Sequence, residues 1–270
     1  MKKILIIITL IIFALNFTIA DNYPTGARQS AMGTAGVTFH DVWAVQNNQA
    51  GLAGLENMSI GFHFENRYLT PQYGLKALAF GLPTSQGTFG VNVSYFGYSL
   101  YNESKIGLAY ARKFSDYFSV GIQLDYLNYF IADYYGNRGT AIAELGVISK
   151  PLEKLTFGVH IYNPTLSQVA DYNNERIPTI VKLGLSYEFN EKFLMAVETE
   201  KDIDFKPRYK VGLEYYIVDN VAIRTGIMTN PFENSFGIGY TKKRISANIA
   251  FTTNKILGLT PHVSFQYKFN

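Results

Sequence analysis

The sequence predicts a transmembrane antiparallel β-barrel of about fourteen strands, with an N-terminal plug segment in the lumen. Three observations predict it. Segments of about ten residues with alternating apolar and polar side chains recur from residue 57 to the end, separated by turn residues. Mean hydropathy is only +0.01 although 47% of residues are hydrophobic. Aromatic residues reach 15%, carried by 20 Tyr and 20 Phe, which suits a surface that is half lipid-facing and half wet.

The first twenty residues resemble a secretory signal peptide. Lys2 and Lys3 precede an apolar run over residues 4–17, and the small residue Ala20 lies at the expected cleavage position. The apolar run is shorter than the roughly 20 residues that a membrane-spanning helix needs. We therefore expect residues 1–20 to be a signal peptide that is cleaved before Asp21, and the protein to reach the bacterial outer membrane.

Residues 21–56 do not alternate and are rich in small side chains, which allow close backbone packing. Asp41 is expected to cap a helical turn over residues 42–45, and Asn48 a second turn over residues 49–53. We predict that this stretch is the plug. Its motif residues are Gly26, Gly33, Gly36, Asp41, Trp43, Asn48 and Gly51.

Residues 57–270 form the predicted barrel. In the segment over residues 180–189, Val181, Leu183 and Leu185 face one way, whereas Lys182 and Ser186 face the other. Tight connections at 115–116, 190–191, 219–220 and 242–243 alternate with longer ones, as short periplasmic turns and external loops do. The predicted strand starts are Asn57, Tyr73, Gly87, Asn102, Tyr117, Gly139, Lys154, Ile177, Lys192, Arg208, Val221, Phe232, Arg244 and Thr260.

The polar faces of these strands carry charges of both signs, interleaved with glycine. They either line an open pore or pair with one another inside a narrow lumen, and the compact chain favours pairing for most of them. The predicted lumen-facing charges are Lys105, Asp125, Glu144, Lys182, Glu188, Glu198, Lys210, Glu214, Arg224 and Lys268.

The final segment alternates Phe265, Tyr267 and Phe269 with polar residues, and we expect these aromatic residues to form a C-terminal signal for barrel assembly. A secreted β-sandwich is the competing fold, since its strands alternate too. The apolar outward faces of nearly every strand favour the barrel, because a sandwich needs more polar surface.

Motifs for catalysis or metal binding are not evident. The chain has no cysteine, and its histidines His40, His63, His160 and His262 show no ligand spacing along the sequence. The formal net charge of +3 is too small to indicate nucleic acid as a partner. We expect a monomeric, non-enzymatic protein with no cofactor and no metal.

Both ends of the chain resemble a known family. The stretch GARQSAMGTAGV followed by DVWAVQNNQAGLAGL, and the ending NKILGLTPHVS, resemble PorV/PorQ proteins, which are related to FadL-type transporters. The family pattern has proline where this chain has Gln49, and its members are longer. The resemblance implies a fourteen-stranded barrel whose plug is shaped by Gly33, Gly36, Asp41, Asn48 and Gly51.

The resemblance implies two functions. A PorV/PorQ-like protein assists protein export or surface assembly, as in type IX secretion, and its partners are secretion-machinery proteins. A FadL-like protein is a passive channel for small hydrophobic molecules, and its partner is a ligand. We expect the first role, with the channel as the alternative and a barrel enzyme acting on lipids as a third choice. An apolar pocket beside the plug favours the channel, whereas paired lumen charges with apolar external loops favour a protein partner.

Overall fold

The protein is described by a computed structural model that covers residues 22–132, 136–170 and 175–270. The predicted signal peptide lies outside these described residues. Two short α-helices precede the strands, α1 (Ala27–Ala31) and α2 (Ala44–Asn47). They are followed by 3-10 helices at Gln49–Gly54, Arg67–Leu69 and Pro71–Tyr73. In the part of the chain that the structure describes, no helix is long and apolar enough to cross a membrane.

Fourteen strands form a closed antiparallel barrel, and two more form a small ribbon in the longest loop. The barrel strands begin within three residues of the predicted starts, so the predicted strand count and order are confirmed. The strands are β1 Ser59–Asn66, β2 Gly74–Thr84, β3 Gly87–Gly97, β4 Tyr101–Ser115, β5 Phe118–Ile131, β6 Gly136–Leu152, β7 Leu155–Tyr162, β8 Gln168–Ala170, β9 Glu175–Arg176, β10 Ile180–Asn190, β11 Phe193–Asp202, β12 Arg208–Val218, β13 Val221–Met228, β14 Glu233–Lys242, β15 Ile245–Asn254 and β16 Gly258–Lys268.

The barrel closes where the first strand meets the last. Each strand pairs with its neighbour along the chain, β7 pairs with β10, and β1 pairs with both β2 and β16. At the closing seam, Ile60 lies opposite Tyr267 and Phe64 lies opposite Val263. Because closure pairs every strand on both sides, no edge is left to be solvated, as a lipid environment requires. A closed ring of this kind excludes the β-sandwich.

The strands present an apolar face outward and a polar face inward. On β5, Ile122, Leu124 and Tyr126 are 50%, 70% and 54% exposed, whereas Gln123 and Asp125 between them are buried. An outward surface of large apolar side chains around the whole ring is the surface that a hydrocarbon environment stabilises. The predicted alternation therefore corresponds to a lipid-type exterior and a polar lumen.

The two ends of the barrel differ in their connections. Two-residue turns join the strands at one end, for example at residues 85–86, 191–192 and 219–220, and β1 begins and β16 ends there. Longer connections lie at the other end, the longest between β7 and β10. We call these the short-turn end and the long-loop end.

The N-terminal segment, residues 22–56, runs inside the ring of strands. Helix α1 contacts β13 to β16, and the 3-10 helix at Gln49–Gly54 contacts β2 to β6. Gly33 lies so close to the wall that an added Cβ would stand 2.7 Å from the Ile227 carbonyl oxygen, and its φ of 64° is one that glycine adopts freely. The segment thus fills the interior that fourteen strands leave too wide for side chains alone.

We predict that a charge in the centre of the outward face destabilises the barrel in lipid. Leu124→Lys should lower the free energy of unfolding by ~2–4 kcal/mol, because the ammonium group would lie in hydrocarbon. Denaturant titration of the refolded protein in lipid vesicles measures the change.

The matched control is Ile256→Lys, since Ile256 is 92% exposed in a loop at the long-loop end. Its effect should stay within about 0.5 kcal/mol, as for other surface substitutions. An equal effect of the two lysines would contradict a lipid-facing position for Leu124.

Candidate functional site

Apolar contacts hold the lower part of the N-terminal segment, near the short-turn end. Val42, Val45 and Leu52 are fully buried and pack with Ala79 of β2 and with alanines of β4. Small wall residues leave room for the large side chains of the segment at this level. Most polar wall residues lie closer to the long-loop end or on other strands of the ring, and the segment forms hydrogen bonds with them.

Three buried carboxylates of the wall connect the segment to the strands. The first is Glu144 on β6, which accepts from Lys105 Nζ at 2.5 Å and from the Gln49 amide at 2.6 Å. The ring nitrogen Nε2 of His160 lies 2.8 Å from Oε2 of Glu144. Asp125 is close to the same cation, with Oδ1 3.5 Å from Lys105 Nζ. Glu144 is thus shared between a lysine of the wall and a residue of the segment.

The second carboxylate is Glu198 on β11. Its Oε2 accepts the backbone N–H groups of Gly36 and Val37 at 2.9 and 3.0 Å, and its Oε1 accepts from Lys210 Nζ at 2.8 Å. Lys210 lies directly across the strand pair and also donates to Glu200 at 2.7 Å. Two adjacent N–H groups aimed at one oxygen make a concave anion-binding site of the backbone.

The third carboxylate is Glu214 on β12. It accepts from Arg28 of the segment at 2.6 and 2.9 Å, and from Arg224 Nε of the neighbouring strand at 2.5 Å. Arg224 also donates to Asn248 at 2.9 Å. A guanidinium group on each side satisfies both carboxylate oxygens with charge-assisted hydrogen bonds.

Glycines of the predicted plug motif lie where side chains would collide. Gly26 has a φ of 99°, and an added Cβ would stand 2.9 Å from Trp43 Cγ. Gly36 brings its N–H to Glu198, and a Cβ there would stand 2.8 Å from Gln29 Cγ. Gly51 lies against Ala44, 2.8 Å from its Cβ by the same measure.

The polar motif residues hold the turns of the segment. Asn48 caps the 3-10 helix that follows it, accepting from the Ala50 N–H at 3.2 Å, and its amide donates to the Val37 carbonyl at 2.7 Å. Asp41 does not act as the N-cap of a helix over residues 42–45, because helix α2 begins only at Ala44. Asp41 instead accepts from the Trp43 N–H at 3.0 Å, which forms an Asx turn before the helix.

Asp41 also ties two parts of the segment together. It accepts from the Gln29 amide at 2.9 Å, and its carboxylate lies 3.7 Å from Arg28 Nη1. Burial raises the pKa of the Asp41 carboxyl, whereas the Arg28 charge and the hydrogen bonds from Gln29 and Trp43 act in the opposite direction. The carboxylate therefore depends on these partners to stay charged.

The predicted lumen-facing charges fall into two groups. Eight of them are buried on the inward face: Lys105, Asp125, Glu144, Lys182, Glu198, Lys210, Glu214 and Arg224. Glu188 and Lys268 follow the same alternation but lie near the short-turn end and are exposed. Their strands extend past the part of the barrel that the segment fills, so the two side chains reach solvent.

A cavity of about 190 Å³ opens at the long-loop end, above the segment. Tyr23 and Pro24 form part of its lining, together with Met228 of the wall. Its other lining residues are mostly polar, and the charged ones are Glu65, Arg67, Glu200, Arg208, Lys210 and Glu233. The cavity is therefore amphipathic and not the contiguous apolar pocket that would by itself indicate a hydrophobic channel.

An apolar cluster lies beside this cavity, where the longest loop folds into the barrel mouth. Ile177 of that loop is 1% exposed and packs with Leu127, Tyr129, Ile142 and Tyr162, which point inward from β5, β6 and β7. A small cavity of about 20 Å³ lies between part of this cluster and Tyr23 of the segment. The long-loop half of the lumen thus has an aromatic and aliphatic side as well as a charged one.

Sequence reasoning missed the grouping of His63, Glu65 and His262. They lie on β1 and β16, and Glu65 is directly opposite His262 across the closing seam. The histidines stand 199 positions apart along the chain, so spacing could not join them. The available signal was the inward parity of all three residues, together with the rule that the first and last strands of a barrel pair.

The expected assembly signal lies at the end of β16, with Phe265 and Tyr267 on the strand and Phe269 directly after it. Phe265 is 40% exposed, and the rings of Tyr267 and Phe269 meet edge to face at 4.9 Å. These positions suit contact with lipid or with an assembly factor, and the role in assembly stays a prediction.

Solved structures share this architecture. No family model matches the chain, and neither does any curated protein. The P. putida toluene transporter TodX has 12% identity and a TM-score of 0.74, with 93% of this chain and 100% of that chain covered. The Ralstonia pickettii toluene transporter TbuX has 13% identity and a TM-score of 0.73, with coverage of 91% and 98%. A Pseudomonas aeruginosa FadL homologue has 13% identity and a TM-score of 0.61, with coverage of 94% and 100%.

These similarities show the fold. The chain has a FadL-like fourteen-stranded barrel. The predicted relation to FadL-type proteins is confirmed at that level, and the closer likeness to PorV/PorQ proteins stays a prediction.

We predict that Glu214 is needed for stability because a buried cation, Arg224, and a partly exposed one, Arg28, share it. Glu214→Gln should lower the free energy of unfolding by about 3–5 kcal/mol, since it leaves Arg28 and Arg224 without their carboxylate. Denaturant unfolding of the refolded barrel measures the loss.

Two variants control this experiment. Glu214→Gln combined with Arg224→Met should be less destabilised than Glu214→Gln alone, because one uncompensated charge is removed. Glu188→Gln should change stability by no more than about 0.5 kcal/mol, because its carboxylate is exposed. If the double variant had a lower free energy of unfolding than Glu214→Gln alone, the charge argument would be contradicted.

Proposed function

We propose that the protein is a FadL-like outer-membrane channel for small, mainly apolar molecules, and that residues 22–56 are its plug. The observation that carries the proposal is the inward-facing cluster of Leu127, Tyr129, Ile142 and Tyr162 at the mouth of the lumen. Ile177 of the longest loop covers this cluster, so it would offer an apolar and aromatic surface to a solute once that loop and the segment shift. The solved neighbours are named as monoaromatic hydrocarbon channels or toluene transporters, which supports the same class of solute.

The plug must move for a solute to pass. The cavity beside the aromatic cluster measures only about 20 Å³, room for about one water molecule. The ring of Tyr23 in the segment packs at a tilt against Phe96 at the edge of this cavity, with the ring centroids 4.9 Å apart. A ring-sized solute therefore fits only if the start of the segment withdraws from the wall.

The contacts that hold the plug are suited to reversible movement. Its first part, which includes Arg28, Gly36 and Val37, is bound through hydrogen bonds and an ion pair to Glu214 and Glu198. Water can replace such bonds when the segment shifts, so their net contribution is smaller than their number indicates. The apolar contacts of Val42 and Leu52 near the short-turn end serve as the fixed end of the segment.

A reversible cross-link tests whether the plug moves. The chain has no cysteine, and an added Cβ at Gly237 would lie 2.7 Å from the Ala31 Cβ of helix α1. A disulfide needs a Cβ–Cβ separation of roughly 3.5–4.5 Å, so a shift of about 1 Å lets the pair Ala31→Cys and Gly237→Cys form one. The oxidised and reduced forms of this variant then differ only in the lock.

We expect cells that carry the wild-type protein to take up labelled toluene faster than cells with an empty vector. The host should lack its own transporter of this kind. The oxidised double variant should fall to the vector rate, and dithiothreitol should restore uptake. A wild-type rate equal to the vector rate would rule out the channel, whereas equal rates for the locked and reduced forms would rule out movement of α1.

A second candidate function rests on a separate observation, the apolar residues exposed on the long loops. Ile256 is 92% exposed, Leu257 53%, Leu69 59% and Phe205 51%, all at the long-loop end. Such residues are costly in water and favourable at a protein interface. They support the export or surface-assembly role that we inferred from the PorV/PorQ-like motifs, with a secretion protein as partner.

We predict that the double substitution Ile256→Asp and Leu257→Asp separates the two functions. It should leave toluene uptake unchanged, because both residues lie outside the lumen, and remove any protein that co-purifies with the wild type. Quantitative mass spectrometry of the purified barrels compares the two samples. Identical protein profiles would count against a partner at this loop.

A further inference from the structure

The closing seam of the barrel brings three side chains with metal-binding atoms together. His63 and Glu65 point inward from β1, two residues apart, and Glu65 lies opposite His262 of β16. One ligand atom from each residue can be chosen so that all three lie within 4.8 Å of one another. All three residues are buried, at 4%, 4% and 5% exposure.

Three of the ring nitrogens at this place make no hydrogen bond. Within the described residues, neither nitrogen of His63 and not Nδ1 of His262 has a hydrogen-bond partner, although all three atoms are buried. A buried nitrogen without a hydrogen bond is unfavourable, because it has lost its contact with water. Three such atoms beside one carboxylate indicate a ligand that would satisfy them together.

Neighbouring groups hold two of the three residues, Glu65 and His262, in place. Arg67 pairs with Oε1 of Glu65, while Oε2 lies 3.3 Å from His262 Nδ1 and 3.8 Å from His63 Nε2. The Thr252 hydroxyl lies 3.0 Å from His262 Nε2, which leaves Nδ1 to face Glu65. Partners of this kind, bound to the far side of Glu65 and of His262, are typical of metal sites.

We propose that His63, Glu65 and His262 bind a divalent transition-metal ion, with Zn²⁺ the best match. Two imidazoles and one carboxylate are a ligand set that zinc uses when a fourth position stays open. Ligand atoms about 2.0–2.2 Å from a tetrahedral ion lie roughly 3.3–3.6 Å apart. The three ligand atoms lie within 4.8 Å of one another, so side-chain rotations that move them by about 1 Å complete the site. Glu65 and His262 also line the 190 Å³ cavity, which gives the ion a path and a water for the fourth position.

The ion would join the first strand to the last. Its ligands come from β1 and β16 only, the two strands whose pairing closes the ring. Ion binding therefore adds a cross-link at the seam, and any ligand that binds the folded state alone raises its stability. This inference does not depend on transport, and it stands or fails separately from the channel.

Zinc binding is measured on the full mature protein, refolded in detergent and purified without a polyhistidine tag. Isothermal titration with Zn²⁺ should give about one ion per chain for the wild type. Mg²⁺ should give no binding, because it prefers oxygen ligands in octahedral geometry. Co²⁺ supplies a second readout, since imidazole ligation in a tetrahedral site gives it strong visible absorption.

Variants assign the ligands. His63→Gln and His262→Gln should each lose the Co²⁺ absorption and the stoichiometric zinc, whereas His40→Gln should keep both, because His40 is exposed near the short-turn end. Thr252→Val should keep the site but weaken zinc binding by ~10-fold or more, as expected for a residue that orients a ligand. Circular dichroism and the heat-dependent shift of the barrel on gels show that each variant is folded.

Stability gives an independent test of the cross-link. Zinc should raise the unfolding temperature of the wild type and of His40→Gln, but not that of His63→Gln. The proposal is overturned if the folded wild type binds no Zn²⁺ and shows no Co²⁺ absorption. It is equally overturned if His63→Gln and His262→Gln bind the ions as the wild type does.

Discussion

The structure depends on three wall carboxylates that the strands and the N-terminal segment share. Glu144, Glu198 and Glu214 each accept from a cation of the wall and from a group of the segment. In a barrel that spans a membrane, a buried charge without a partner costs several kcal/mol. The wall therefore needs the segment to complete the hydrogen bonding of its carboxylates, and the segment needs the wall for its backbone N–H groups and for Arg28. Neither part has its polar groups satisfied without the other.

This constraint explains the composition of the inward face. A ring of fourteen strands encloses more space than side chains alone fill, so a piece of chain must occupy it. Where the backbone of that chain passes the wall, the wall side chains must be small. Glycine meets this need, for example at Gly212, where an added Cβ would stand 2.5 Å from the Met32 carbonyl oxygen. Charges then lie beside the glycines and reach the N–H groups and amides of the segment. The strands combine glycine with ionic side chains because the wall must both make room for the enclosed segment and bind it.

The sequence could predict the strands, their order and the direction of their faces, because alternation along a strand and turn residues are local properties. It could also predict the cap at Asn48, whose hydrogen bond spans two residues. The helix start near Asp41 could not be predicted in this way. Helix α2 begins at Ala44, and the Asp41 carboxylate contacts Gln29 and Arg28, which lie outside the local sequence window. Lys182 is buried and Lys268 is exposed because of how far the segment extends along the lumen. The grouping of His63 with His262 depends on the closure of the barrel. These are properties of the ring as a whole, which no window along the chain contains.

The charged and apolar sides of the upper lumen set the conditions for opening. If the segment withdrew completely, Glu144, Glu198 and Glu214 would lose their segment partners but keep Lys105, Lys210 and Arg224 across the strands. The wall charges would then remain paired in an open state, so opening exposes hydrogen-bonding groups to water without leaving a bare charge in the barrel. Arg28 would leave with the segment and carry its charge into solvent. If the protein is the channel that we propose, a wall that balances its own ions would allow the same interior to be closed in one state and wet in another.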